Sequence, residues 1–463
     1  MVKYSCSKCL KEFSQKSHYD RHIIKKIPCN NKIDKIKSIV ENIIDNKIEE
    51  TINIIDNKIE EIINKKIENN IDKYINTSLN KMNNDKLHNL KLKNKKKVNN
   101  VKINDDKVNK DIKQVYKVMS LFTGMGGMDI GFAEEVIVHK NSIKEDNYIE
   151  KKDTIEDFVK LKKLPFEIIF QNDILPEAKR IAELNNWNHN FNLKDIRDML
   201  KENYNFPYAD VIIGGFPCQD FSHAGKRKGF DSNRGTLYQS YVEVVKKVKP
   251  LIFVAENVNG LLTMPGEPIK KIIDDFSQVG YEVKYQLIKC EEYGIPQTRW
   301  RVIIIGIRND KKHKLQDDNW NIITENKIKC TISNYFKHLQ EPDITTDPAQ
   351  KIYSKAKRLE KENKIYQGQK EISLNDFAPT MRAEHHGNIE FRRITNGKNN
   401  EPNLLERRLS VREAALIQTF PPSCILTEPN RPTSKAYKPI GNAVPPLLGY
   451  IIANKIYQLL RIL

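Results

Sequence analysis

Long apolar runs are missing from this 463-residue sequence. No stretch approaches the roughly twenty residues of a membrane-crossing helix, and no signal-peptide pattern opens the chain. Cysteine is scarce: the seven residues are odd in number and scattered along the whole length, unlike a secreted disulfide framework. These absences point to an intracellular, reducing setting, in cytoplasm, nucleoid, nucleus or a viral replication compartment, with no membrane partner. Acidic residues are the third shortage. Asp and Glu number 60 against 78 Lys and Arg, a formal net charge of +18, which makes nucleic acid the first partner to consider. Part of that excess lies in a Lys/Asn/Ile-rich N-terminal third whose bias could instead reflect the coding genome. The length allows two or three domains.

The chemistry concentrates around Asp210-Val211-Ile212-Ile213-Gly214-Gly215-Phe216-Pro217-Cys218. The apolar run reads as a buried strand that Gly-Gly-Phe-Pro ends abruptly, so Cys218 is held at the carboxyl end of a strand. In an open α/β sheet that edge gathers ligands, and a thiol placed there is a candidate nucleophile. A lone intracellular cysteine is more often a buried packing residue. Against that reading, Leu251 to Ala255 forms a second buried strand, and Glu256-Asn257-Val258 caps it. A thiol and a carboxylate delivered to one sheet edge make a catalytic arrangement. Further on, Gln297-Thr298-Arg299-Trp300-Arg301 precedes a strand from Val302 to Ile307, with Arg299 and Arg301 on one face.

A ligand-binding edge is written earlier in the chain. Val118 to Phe122 reads as a strand, and Thr123-Gly124-Met125-Gly126-Gly127 then turns into a helix, which lets a ligand approach the backbone closely. Glu167 to Gln171 supplies another strand, ending at Asn172 and Asp173, where a carboxylate suits ribose hydroxyls. Asp195 offers a carboxylate for an adenine amino group; a loop position or a helix cap is the plainer alternative. The segment from Val138 to Lys163 is charged and shows no clear periodicity.

The N-terminus carries Cys6-x2-Cys9, His22 and Cys29, with Phe13 and Tyr19 as core residues, and resembles a two-Cys two-His zinc finger in which Cys29 replaces the last histidine. Six residues separate His22 from Cys29, more than usual, and His18 is a rival ligand. By that resemblance Gln15, His18 and Arg21 occupy base-reading positions, although a protein-binding or purely structural finger is the alternative. Between residues 33 and 75 isoleucines recur at helical spacing, and Ile-Ile-Asp-Asn-Lys-Ile-Glu-Glu occurs twice, eleven residues apart. Such a stripe predicts a long helix that self-associates as a homo-oligomer; a solvated spacer is the alternative. A Lys/Asn-rich stretch follows and reads as a basic linker.

From about Tyr116 to the C-terminus the chain resembles the cytosine-5 DNA methyltransferases. The Phe-Thr-Gly-x-Gly-Gly loop, Pro217-Cys218-Gln219, Glu256-Asn257-Val258, Gln297-x-Arg299-x-Arg301, Arg408-Leu409-Ser410-x-Arg412-Glu413-Ala414 and Gly441-Asn442-Ala443-Val444-Pro445-Pro446 occur in the family's order. The resemblance implies an α/β fold: a Rossmann-like methyltransferase sheet with a smaller target-recognition region, here preceded by the finger and long helix. It implies the segments 1–31 finger, 32–80 helical association, 81–115 linker, 116–308 catalytic, 309–405 target recognition and 406–463 returning to the catalytic domain. S-adenosylmethionine is then held by Phe122, Gly124, Gly126, Gly127, Asp173, Asp195, Ile196, Pro217, Leu237 and Asn442. Cys218, Glu256, Arg299 and Arg301 are catalytic. Gln219, Ser222, Lys226 and Arg227 grip double-stranded DNA from which the cytosine is flipped. A structural zinc belongs to Cys6, Cys9, His22 and Cys29. RNA cytosine-5 methylation and an inactive DNA-binding scaffold are the rival functions.

Overall fold

The computed structural model describes residues 4–5, 12–13, 15–23, 114–217, 236–311, 313, 323, 327–353, 372–383, 407–428 and 434–463. The chain divides into two units, Met1–Lys110 and Asp111–Leu463. In the first, Tyr4–Ser5 pairs antiparallel with Glu12–Phe13, and a helix, Lys16–Ile23, follows. His22 falls within that helix. Cys6, Cys9 and Cys29 lie outside the described residues, as do the isoleucine stripe and the basic linker. Among the described residues no group of three or more His, Cys, Asp or Glu is gathered as a metal site requires. Nor is any described helix long and apolar enough to cross a membrane.

The second unit is built on seven strands: β1 (Tyr116–Leu121), β2 (Phe166–Asp173), β3 (Phe191–Leu193), β4 (Val211–Gly214), β5 (Ile252–Val258), β6 (Tyr281–Lys289) and β7 (Trp300–Arg308). They lie in the order β6-β7-β5-β4-β1-β2-β3. Five are parallel, and β7 enters antiparallel between β5 and β6. Their β-branched runs are buried on both faces, as a covered parallel sheet requires. Val118, Ile213, Val254 and Ile303 face one core, whereas Met119, Ile212, Phe253 and Val302 face the other, which is the two-residue alternation of a strand.

Helices cover both faces. On the first lie α1 (Gly127–Ala133), α2 (Pro176–Leu184) and the long C-terminal helix Pro446–Leu460, through residues such as Ile130, Ile181 and Ile456. On the second lie α3 (Ile196–Lys201), α4 (Thr236–Val248) and α5 (Pro268–Gln278), through Met199, Val244 and Phe276. The C-terminal helix docks on α1 at glycines: a Cβ on Gly131 would collide with the backbone of Gly449 and Tyr450. This close approach brings the segment around Asn442 to Ala443 back beside the first strand's loop.

The segment without visible periodicity is ordered. Ile137–His139, Phe158–Leu161 and Ile149–Lys152 form a small antiparallel sheet in that spatial order. Its strands are too short to display a period of two in sequence. Phe158 anchors it edge-on to Tyr335, and Ser142 Oγ donates to Gly294 O at 2.7 Å. Within 309–405 the described elements are two short helices, Ile332–Phe336 and Pro348–Lys351, and a strand, Ala378–Pro379, paired with Gln297–Thr298. The Arg408 to Ala414 motif builds a helix start. Ser410 caps Val411–Ile417 in a capping box with Glu413, and the buried Glu413 pairs with Arg407 at 2.8 Å.

Gly131→Ala should lower unfolding stability by about 1–3 kcal/mol through overpacking of the helix pair. A denaturation midpoint equal to that of the unaltered chain would contradict the close-packed arrangement.

Candidate active site at the sheet edge

Strand register brings the charged pair together. β4 and β5 run parallel, with Ala255 opposite Gly214, so Glu256 is the next residue toward the carboxyl edge. On the other side β7 is antiparallel, with Val258 opposite Arg301 and Glu256 opposite Ile303. Glu256 and Arg301 are therefore diagonal neighbours on one face. Arg301 Nε approaches Glu256 Oε1 at 2.7 Å, and each side chain is 10% exposed. The contact is an ion pair that lacks hydrogen-bond alignment. A second guanidinium nitrogen, Nη1, donates to Trp300 O at 2.7 Å. Gly215 leaves the room this carboxylate occupies: a Cβ there would press on Glu256 Oε2.

The chain leaving β4 is tied down just before the thiol. Phe216 is 2% exposed and packs against the rings of Tyr238 and Tyr241. Its carbonyl accepts from Asn257 Nδ2 at 3.0 Å. Pro217 follows and is exposed. Cys218, and with it Gln219, Ser222, Lys226 and Arg227, lies outside the described residues. The chain is described again from α4, where Leu237 is half-buried.

Arg299 acts differently from Arg301. Only 1% exposed, it donates to Met381 O at 3.0 Å, Gly441 O at 3.2 Å and Ala443 O at 2.9 Å. Burial and the neighbouring Arg301 lower its pKa to about 9, which leaves it charged at neutral pH. It ties the segment before β7 to residues 381 and 441–443.

The loop after β1 is held from two sides. Asp173 Oδ2 accepts from Gly124 N at 2.8 Å, while Oδ1 accepts from Ile174 N and Leu175 N. Burial raises the pKa of Asp173 against the lowering effect of those three donors. Asp129, fully buried within α1, accepts from Ser120 Oγ at 2.6 Å, Thr123 Oγ1 at 2.5 Å and Gln171 Nε2 at 2.7 Å. Burial likewise raises its pKa, opposed by the same three donors. Phe122, at φ 53°, and Gly124, at φ 55°, turn the backbone in the left-handed region. Among the described residues nothing lies within 4 Å of where a Gly124 Cβ would stand, so the loop faces away from them into open space. Gly126 precedes α1 as its cap. Gly127 is needed for packing, because a Cβ there would strike Val444 O.

Asp195 is the N-cap of α3 and pairs with Arg197 at 2.6 Å, which lowers its pKa. Ile196 beside it is buried. Asn442 is exposed and, with Arg301, Trp300, Thr380 and Arg382, lines a cleft of about 530 Å³. The edge thus offers a carboxylate paired with a guanidinium on one side and an open glycine loop beside a carboxylate on the other.

Several residues that shape this edge escaped sequence reasoning. Asp129 was signalled only by an acid inside an otherwise apolar helix start. Asn257 was hidden inside the Glu-Asn-Val motif. Ile174, 61% exposed directly after Asp173, is an unburied apolar surface at the loop, and Trp300 is another at the cleft.

Comparison with known proteins bears on what this edge does. The C-5 cytosine-specific DNA methylase family matches residues 116–458. The Type II methyltransferase M.BspRI of Lysinibacillus sphaericus is 34% identical over 364 residues, 74% of this chain and 82% of that protein. M.BsuRI of Bacillus subtilis is 35% identical over 354 residues, 73% of this chain and 78% of that protein. M.FnuDI of Fusobacterium nucleatum is 31% identical over 376 residues, 74% of this chain and 95% of that protein. A solved structure of an E. coli prophage-encoded protein, described as a DNA modification methyltransferase, shares the fold. Its TM-score is 0.51 at 20% identity, covering 75% of this chain and 99% of that one.

Arg299→Met should cost about 3 kcal/mol or more, because it takes a donor from three buried carbonyls, of which, among the described residues, Ala443 O alone keeps a second, longer bond from Gln418 Nε2. Urea unfolding reads this directly, and a loss below about 0.5 kcal/mol would remove Arg299 as a tie.

Proposed function

The chain belongs to the C-5 cytosine-specific DNA methylase family and is an enzyme that methylates carbon 5 of cytosine in DNA, and from that premise we propose which residues perform the transfer. The observation that carries the assignment is the Glu256–Arg301 pair, one residue beyond the level at which β5 pairs with the strand leading to Cys218.

Carbon 5 of cytosine is a weak nucleophile, so the Cys218 thiolate first adds to carbon 6. Glu256 holds a proton at ring N3 as electrons move into the ring. Arg301 keeps the Glu256 carboxylate in place and turns a guanidinium nitrogen to cytosine O2. Arg299 supports Arg301 from behind by fixing the backbone on which it stands. When bound, S-adenosylmethionine supplies a sulfonium-activated methyl group to the carbon 5 that these residues have made electron-rich. A base then removes the carbon 5 proton, and Cys218 leaves by elimination.

The donor fits the glycine loop. The open space at Gly124 admits a ligand against the backbone, and the Asp173 oxygens, each with acceptor capacity left, suit ribose hydroxyls. Exposed Ile174 offers an apolar face to a purine. Phe122, Gly126, Gly127, Ile196, Pro217, Leu237 and Asn442 complete the walls. Asp195, engaged by Arg197, reaches an adenine amino group with its remaining lone pairs. Base flipping exposes the cytosine, and Gln219, Ser222, Lys226 and Arg227 fill the gap and grip phosphate. Residues 309–405 read the flanking bases. The relatives' naming as Type II methyltransferases supports a modification role of the restriction-modification type.

At the N-terminus, the hairpin-then-helix order of residues 4–23 supports a zinc finger on Cys6, Cys9, His22 and Cys29. A module this small lacks an adequate core without metal. The isoleucine stripe from 33 to 75 supports self-association.

Duplex DNA carrying 5-fluorocytosine at the methylated position blocks the final elimination. The unaltered chain should then form a complex that survives denaturing electrophoresis; Cys218→Ser should form none and transfer no methyl group. Retained transfer by Cys218→Ser would refute the covalent route. Purified full-length protein should carry one zinc ion per chain, lost in Cys9→Ser; a chain equally folded and free of zinc would dispose of the finger.

A further inference from the structure

Trp300 stands one residue before Arg301 and lines the same cleft, yet it is 41% exposed. It is fixed in place despite that exposure. Its indole Nε1 donates to Glu291 Oε1 at 2.8 Å. Lys289, its register partner on β6, holds its ammonium 5.4 Å from the ring centroid. A locked aromatic surface of this size, left open beside the catalytic pair, is not consumed by packing.

A further observation says what belongs against it. Beside the ring the cleft presents the exposed Arg382, whose guanidinium suits a phosphodiester. An exposed aromatic face beside a guanidinium suits a base together with its phosphodiester.

We propose that Trp300, oriented by Glu291, is a stacking platform for an unstacked nucleobase of the bound DNA adjacent to the flipped cytosine. The proposal rests on the DNA methyltransferase reading above. Stacking of a base on an aromatic side chain is sequence-tolerant and stabilises binding appreciably. Trp300 thus contributes to holding the strand open while the target is methylated.

The chain has three tryptophans, Trp187, Trp300 and Trp320, so a full-length Trp187→Phe/Trp320→Phe variant reports on Trp300 alone. Adding a duplex that contains the methylated site should quench its emission, while duplex lacking the site quenches less. Trp300→Ala should raise KM for DNA about ten-fold or more, leave KM for S-adenosylmethionine unchanged, and be largely rescued by Trp300→Phe. Unchanged emission during active methyl transfer, or equal KM for DNA in the Ala variant, would overturn the platform. Failure of the unaltered chain to transfer methyl groups at all would instead remove the parent reading and the platform with it.

Discussion

A carboxylate and a guanidinium closed away from water on neighbouring strands constrain everything around them. Neither charge is tolerable alone at such burial, because desolvation penalises the ionised form unless a partner offsets it. Glu256 and Arg301 meet because β7 runs antiparallel beside β5 and their register makes the two side chains diagonal neighbours. The reversed strand is thus a chemical requirement as well as a topological feature: a residue approaching the carboxyl edge on β5 meets one just entering β7. The β4 strand on the other side of β5 then carries the chain to the same edge, and Asn257 clamps the carbonyl of Phe216 just before Cys218.

The rest of the edge is assembled from distant sequence by backbone contacts. Arg299 binds carbonyls at 381, 441 and 443, so the segment around Met381 and the C-terminal segment are fixed by one side chain. The C-terminal helix closes on α1 through glycines, which sets the position of Asn442 and of the Gly124 loop together. Asp129 and Asp173 hold that loop through Thr123 and Gly124. Rigid support of this kind is what keeps reacting groups in register with a ligand.

Much of this was legible in the sequence where local pattern and chemistry coincide. The runs at Val118, Val211, Ile252 and Val302 read as strands because β-branched residues buried on both faces leave unbroken apolar segments. Glu256 and Arg301 were legible because charged residues at the ends of such runs have no packing reason to be there. What was hidden depends on tertiary contact. The role of Arg299 as a tie lies in three carbonyls far away in sequence; the helix cap at Asp195, by contrast, was among the readings its sequence position offered. The small sheet between Ile137 and Leu161 was invisible because strands of three or four residues carry too little periodicity. Asp129 and Trp300 belong to no spacing rule: one is explained by its buried donors, the other by the cleft beside it.

The central claim is that the paired Glu256 carboxylate handles the proton at cytosine N3. Glu256→Gln keeps the size and hydrogen-bonding shape and removes the proton-transfer capacity, so single-turnover methyl transfer with saturating DNA and S-adenosylmethionine isolates the step. The account predicts a rate reduced about 10²-fold to 10⁴-fold, with DNA affinity little altered. A Gln variant that transfers within two-fold of the unaltered rate would contradict it.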